Sequence, residues 1–239
     1  MSESPSTTNT TGIYVKSLAL IDDLIHKLET NQPIGTTSSS SSTKTNQKAK
    51  NTTAKKAPAK PAVSAATKAF QQTYLVVAEM ASVEIHPESE KLYKVTINIG
   101  NEQTRSLVAG LKKFYTQDEL LNRKVIAILN LKPKKLAGVM SEAMILAGTE
   151  LGNENNVKLL EPPVDAKVGD RVVLASDVEN KLLDGYVKTP EERCSPNAWE
   201  KIVKELKVTS GKPTYAGEVL SVSSGATLSC PLPDGSEIH

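Results

Sequence analysis

The stretch KVIAILNLKPKKLAGVMSEAMILAG, residues 124–148, holds two apolar runs separated by a charged joint. Val125-Ile126-Ala127-Ile128-Leu129 precedes the joint and Met144-Ile145-Leu146-Ala147 follows it. Short apolar runs with β-branched residues, bounded by polar and glycine positions, read as buried strands, here over 124–130 and 139–148. Between them Lys132, Lys134 and Lys135 place three positive charges within four residues, with Pro133 among them and Gly138 just beyond. Proline fixes φ and so limits how the loop spreads its lysines. Glycine permits a tight turn or the close approach of a ligand to the backbone.

Upstream, YLVVAEMASVEI (74–85) is β-rich, HPES (86–89) is a turn, KLYKVTINIG (91–100) alternates, and TRSLVAG (104–110) is a third strand. TQDELLN (116–122) breaks the β pattern: Thr116 followed by Glu119 forms a capping box, and Leu120-Leu121 supply the apolar side of a short helix. The order is β-β-β-α-β-β. This predicts a mainly β fold, the five-stranded OB-fold barrel, over 73–151. Such barrels bind oligonucleotides on the face of strands two and three and on the loops joining strands 1–2 and 4–5. The lysine-rich joint occupies the second of those loops.

Charge is distributed unevenly. The whole chain of 239 residues carries a formal net charge of +2. Residues 1–29 hold Lys16 and Lys27 against Glu3, Asp22, Asp23 and Glu29. Residues 30–72 hold Lys44, Lys48, Lys50, Lys55, Lys56, Lys60 and Lys68 and no acid. The remainder is therefore slightly acidic, and positive charge sits in one tract and in small local clusters, a pattern suited to a polyanion held at defined places. Aromatic residues make up 4% of the chain, too few to predict a core that uses its whole length.

The segment 1–30 is predicted to be an amphipathic helix over 13–30, with Leu18, Ile21, Leu24, Ile25 and Leu28 on one face. A helix this short is marginal alone in water, so the face is expected to dock on a partner or on the folded domain. The Ser/Thr/Ala/Lys-rich stretch 31–72 cannot bury enough surface to offset chain entropy and is predicted to be a disordered tether or polyanion-binding arm, with Lys55, Lys56 and Lys60 in its proline-bearing part. No run of about 18 apolar residues predicts a membrane span, and MSESPSTTNTTG lacks the features of a secretory leader. Cys194 and Cys230 suit a reduced, cytoplasmic setting, with a single disulfide between them as the alternative.

Polynucleotide binding needs cations for phosphates, polar groups for sugars and base edges, and apolar surface for stacking. Lys132, Lys134 and Lys135 supply the first. Arg105, Lys112 and Lys113 extend the patch or form an ordinary solvated face. Asn130 and Ser141 cap the loop backbone, contact RNA, or both. Met144 and Met140 belong either to the core or to the ligand surface. His86-Pro87 reads as a loop element, because the chain's three histidines lack a second ligand at a metal spacing. No P-loop, GxSxG or paired Cys/His arrangement occurs, so neither a metal, a cofactor nor enzyme activity is expected.

HPESEKLYKVTINIG (86–100), RSLVAGL (105–111) and LNRKVIAILNLKPKKLAGVMSEAMILAG (121–148) resemble the tRNA-binding domain of the endothelial monocyte-activating polypeptide family. That domain also occurs in tyrosyl- and some methionyl-tRNA synthetases and in accessory proteins of synthetase complexes. The resemblance implies structure-selective tRNA binding, with Asn130, Lys132, Lys134 or Lys135, Ser141 and Met144 at or beside the RNA surface. EPPVDAKVGDRVVLAS (161–176) is similar to the start of the family's C-terminal extension, expected here over 152–239. The resemblance implies that this extension is β-rich, packs on the barrel and keeps the folded domain monomeric. It also implies that the N-terminal helix joins an aminoacyl-tRNA synthetase or complex scaffold. Two further family roles remain open, a scaffold of a multi-synthetase complex with weak or no RNA binding and a cytokine-like secreted polypeptide.

Three departures remove positive charge. Ala137 stands where the family usually has Arg, LVVAEM lacks the first-strand Arg, and CSPNAWE lacks a lysine run. NAWEKIVKELKV (197–208) carries Trp199, Ile202, Val203 and Leu206 at helical spacing, which predicts a helix packed within the extension.

Overall fold

The computed structural model describes residues 64–239. The helix expected over 13–30 and the lysines Lys55, Lys56 and Lys60 lie outside the described residues.

Five strands form the barrel: β1 (Leu75–Ile85), β2 (Tyr93–Asn98), β3 (Thr104–Ala109), β4 (Lys124–Ile128) and β7 (Met144–Ile145). Their order is β3-β2-β1-β4-β7, and every neighbouring pair is antiparallel. β1 is long enough to serve two neighbours. Its first half pairs with β4 and its second with β2, and a register shift between Met80 and Ser82 bends it from one to the other. The barrel closes through loop residues rather than a ladder. Glu142 N donates to Ser106 O (2.9 Å), Ser106 N donates to Glu142 Oε2 (3.2 Å), and Val108 N donates to Ser141 Oγ (3.2 Å). The helix between β3 and β4 is short, Gln117–Leu120, and carries the expected capping box, with Thr116 N donating to Glu119 Oε2 at 2.7 Å.

β1 and β4 lack polar–apolar alternation because both of their faces are covered. Val76, Ala78 and Met80, with Val125 and Ala127, point into the barrel. Leu75 and Val77, with Ile126 and Ile128, point the other way, into a second core made with the extension. That second core also holds Trp199, Ile202, Leu206, Cys194 and Cys230, both cysteines being buried and free. Trp199 and Ile202 lie on the helix Pro196–Glu205, which Ser195 caps by accepting from Ala198 N. A seven-stranded sheet completes the extension.

Three boundaries differ from the expectations. The tether expected to run to residue 72 stops earlier. Ser64 caps the helix α1 (Ala65–Phe70), and Phe70 is fully buried against the rings of Tyr215 (5.0 Å) and Tyr186 (6.4 Å). Six residues with one aromatic leave no readable periodicity, so only this docking reveals the helix. The fifth strand expected over 139–148 is three pieces: β6 (Val139–Ser141), β7, and β8 (Ala147–Glu150). Glu142 and Ala143 interrupt it to close the barrel. The barrel also ends before residue 151, because β8 already belongs to the extension's sheet. At this crossing Gly148 is required: a Cβ there would meet Leu232 at 2.8 Å and the Cys230 sulfur at 2.9 Å.

Candidate nucleic-acid interface

The lysine-rich joint is itself folded. β5 (Lys134–Leu136) pairs with β6 as a hairpin, Lys134 opposite Ser141, Lys135 opposite Met140, and Leu136 opposite Val139. Ala137 (φ 45°) and Gly138 (φ 84°) form its two-residue turn, and positive φ at both positions matches the twist of the flanking strands. The hairpin therefore has two faces. Lys134, Leu136 and Ser141 share one, and Lys135 and Met140 share the other. Lys132, Lys134 and Lys135 are all exposed. At the tip, a Cβ on Gly138 would lie 3.4 Å from a Glu88 carboxylate oxygen, so the turn after β1 and the hairpin after β4 stand side by side. These are the two loops that flank an OB-fold's binding face. His86 sets the first of them: its buried ring accepts at Nδ1 from Glu88 N (3.1 Å).

Asn130 has no exposed surface. Its Oδ1 accepts from Tyr74 N (2.9 Å), and its Nδ2 donates to Gln72 O and Glu192 O (2.8 Å each). It is a positioning residue and is not available to RNA at the surface. The backbone carbonyl of Asn130 also accepts from Cys194 N (2.9 Å). Two anchors thus hold the 192–194 segment against the loop, with Arg193 between them. Arg193 is exposed and donates from Nη1 to Leu131 O (2.9 Å), adding a fourth cation at the root of the hairpin. The sequence reading missed Arg193, which is 62 residues from Leu131. No local signal marks a partner at that distance.

The other expected site residues are dispersed. Ser141 is buried and spends its hydroxyl on Ala143 O (3.1 Å) and Val108 N. Met144 is half-buried against the extension core. Met140 is half exposed, at 50%. Arg105 is half-buried and turns back to Thr104 O (3.0 Å), at the end of β3 away from the turn after β1. Lys112 is half-buried, and Lys113 is exposed, bonded to Asn155 Oδ1 and 5.8 Å from the Phe114 ring centre. Tyr93 is core, with its hydroxyl donating to Tyr115 O (3.1 Å).

Residues 75–171 match the family model of the tRNA binding domain. This part of the chain belongs to that family. The tRNA-binding domain has relatives in larger proteins. A methionine–tRNA ligase of Thermococcus onnurineus is 47% identical over 103 residues, which is 43% of this chain and 14% of that protein. The cytoplasmic tyrosine–tRNA ligase of Danio rerio is 35% identical over 136 residues, 56% of this chain and 24% of that protein. The chain thus spans under a quarter of either relative. Among solved structures, the C-terminal domain of Plasmodium vivax p43 aligns with 71% of this chain and 98% of its own, at 29% identity and a TM-score of 0.59. That coverage exceeds the tRNA-binding domain and takes in part of the extension.

Proposed function

We propose that the chain is a non-catalytic tRNA-binding factor of translation that serves an aminoacyl-tRNA synthetase in the cytoplasm. The observation that carries this reading is the exposed set of Lys134 and Lys135 on the hairpin and Lys132 just before it, backed by Arg193, in a domain of the tRNA-binding family. A short hairpin fixes the backbone positions from which its lysines reach, which suits phosphates of a folded RNA more than a free loop would. Lys55, Lys56 and Lys60 raise the local affinity from outside the domain, and the segment bearing Leu18, Ile21, Leu24, Ile25 and Leu28 docks on the synthetase. Joining the two turns the encounter of tRNA and synthetase into a near-intramolecular event. The extension occupies the outer face of β1 and β4, and the folded part acts as a monomer.

A filter-binding titration with tRNA at several salt concentrations tests this. Changing Lys132, Lys134 and Lys135 together to Ala weakens binding on the order of tenfold or more and lowers the slope of log K against log salt by about 2 to 3. Unchanged affinity and slope would overturn the site assignment. A scaffold reading is favoured by the acid excess of the extension and by Ala137 at the hairpin tip. Removal of residues 31–63 separates the two, because it leaves Ser64 and α1 in place: a domain that then binds no tRNA is a scaffold with a basic arm.

A further inference from the structure

A cavity of about 270 Å³ lies between the hairpin and the N-terminal half of the Pro196–Glu205 helix. Leu136, Lys134 and Lys132 line it from the tRNA-binding domain, and Pro196, Trp199 and Glu200 from the helix, with Met144 between. Its volume falls just below the roughly 300 Å³ at which sites for drug-sized ligands begin, and suits a single heterocycle. Leu136, Met144 and Trp199 are the large apolar side chains of the lining, and Lys132 and Lys134 are its cations. Two carboxylates, Glu142 and Glu200, also stand on the lining, and that of Glu142 accepts from Ser106 N (3.2 Å). A flat, largely apolar body whose anionic group lies on Lys132 and Lys134, away from Glu200 on the helix, fits this lining.

We infer that this groove takes one unpaired nucleotide of the bound RNA, its base against Leu136, Met144 and Trp199 and its phosphates on Lys132 and Lys134. The inference rests on the tRNA-binding reading and adds what the RNA must offer. A base stacked within a duplex cannot enter a slot of this kind, whereas an unstacked one presents its face and edge. The family-matched residues 75–171 make only one wall. The extension supplies the other, so selection of unpaired nucleotides belongs to the barrel and extension together.

Trp199 is the chain's single tryptophan, so its fluorescence reports on this groove directly. The full chain is titrated with a hairpin RNA carrying a four-nucleotide single-stranded tail and, separately, with the same hairpin blunt-ended. The tailed RNA changes Trp199 emission and binds on the order of tenfold more tightly than the blunt one. Leu136→Ser, at an exposed position, brings the tailed RNA down to the affinity of the blunt one. Equal affinities with no change in emission would overturn the inference while leaving tRNA binding intact. A preference for the tail that survives Leu136→Ser would place the nucleotide elsewhere and also overturn it. Binding of neither RNA by a chain that still binds tRNA would overturn this inference alone, and loss of tRNA binding as well would overturn the proposed function too. Emission that responds to a peptide of leucines and aspartates but to neither RNA would reassign the groove to a protein partner.

Discussion

Asn130 and Ala137 lie seven positions apart on the same connection and carry opposite kinds of constraint. Asn130 is held by three side-chain hydrogen bonds inside the protein. Asn130→Ala strands Tyr74 N and two carbonyls without a partner, and the loss is expected to be about 2 to 4 kcal/mol in urea denaturation. A loss below about 0.5 kcal/mol, the range of ordinary surface changes, would show the network to be dispensable. Ala137 is exposed at the hairpin tip with φ 45°, a region that costs an L-residue roughly 1 to 2 kcal/mol. Ala137 is exposed, so a larger residue there meets the same backbone cost as alanine. Ala137→Arg is expected to steepen the salt dependence of tRNA binding by about 0.7 to 0.9. An unchanged slope would mean that the tip does not reach a phosphate. Asn130 could be picked out in the sequence as a polar residue beside apolar strands, but its burial could not. Periodicity reports which face a strand residue occupies and says nothing of what covers the strand's end.

At the scale of elements, the strands were legible and the helix α1 was not. Runs such as VVA and VIAIL predict strands by composition, and their lack of alternation is explained by the two cores that flank β1 and β4. α1 has one turn and a half, far below the length at which a helix is stable alone. Phe70 holds it: the ring is fully buried between Tyr186 and Tyr215. Phe70→Ala is expected to cost about 3 to 5 kcal/mol, measured by thermal or urea unfolding. A cost near zero would mean that α1 is not docked in solution. The hairpin β5–β6 was legible only as a charged loop with a turn at Gly138. Its pairing depends on Ala137 accepting positive φ, which no propensity scale predicts for alanine.

For the whole molecule, the extension's core sets the response to pH. Burial raises the thiol of Cys230 to about 11, with the Glu161 carboxylate adding to the shift, and burial also raises Cys194, Tyr186 and Tyr215. A thiol whose folded pKa is raised favours the folded state fully below its unfolded value near 8.5 to 9. That contribution declines as pH rises through about 11, where the unfolded chain has already lost its proton. Stability is therefore expected to fall by roughly 2 kcal/mol through Cys230 between pH 8.5 and 11, and Cys230→Ala should flatten the decline in part. Identical pH profiles for the two proteins would show that Cys230 titrates alike folded and unfolded.

The amino-acid sequence by itself determined the order of strands, the placement of three lysines on the connection after the fourth, and the membership of residues 75–171 in a family. These are local properties, set by side-chain volume, backbone preference and charge within a few residues. Tertiary structure alone decided that Asn130 and Ser141 turn inward, that Arg193 joins the lysines, and that Trp199 faces Leu136 across a groove. Each of those depends on contacts between segments some 30 to 60 residues apart. Such contacts form only when the barrel and its extension bury a common core, and they leave no periodic trace in the chain.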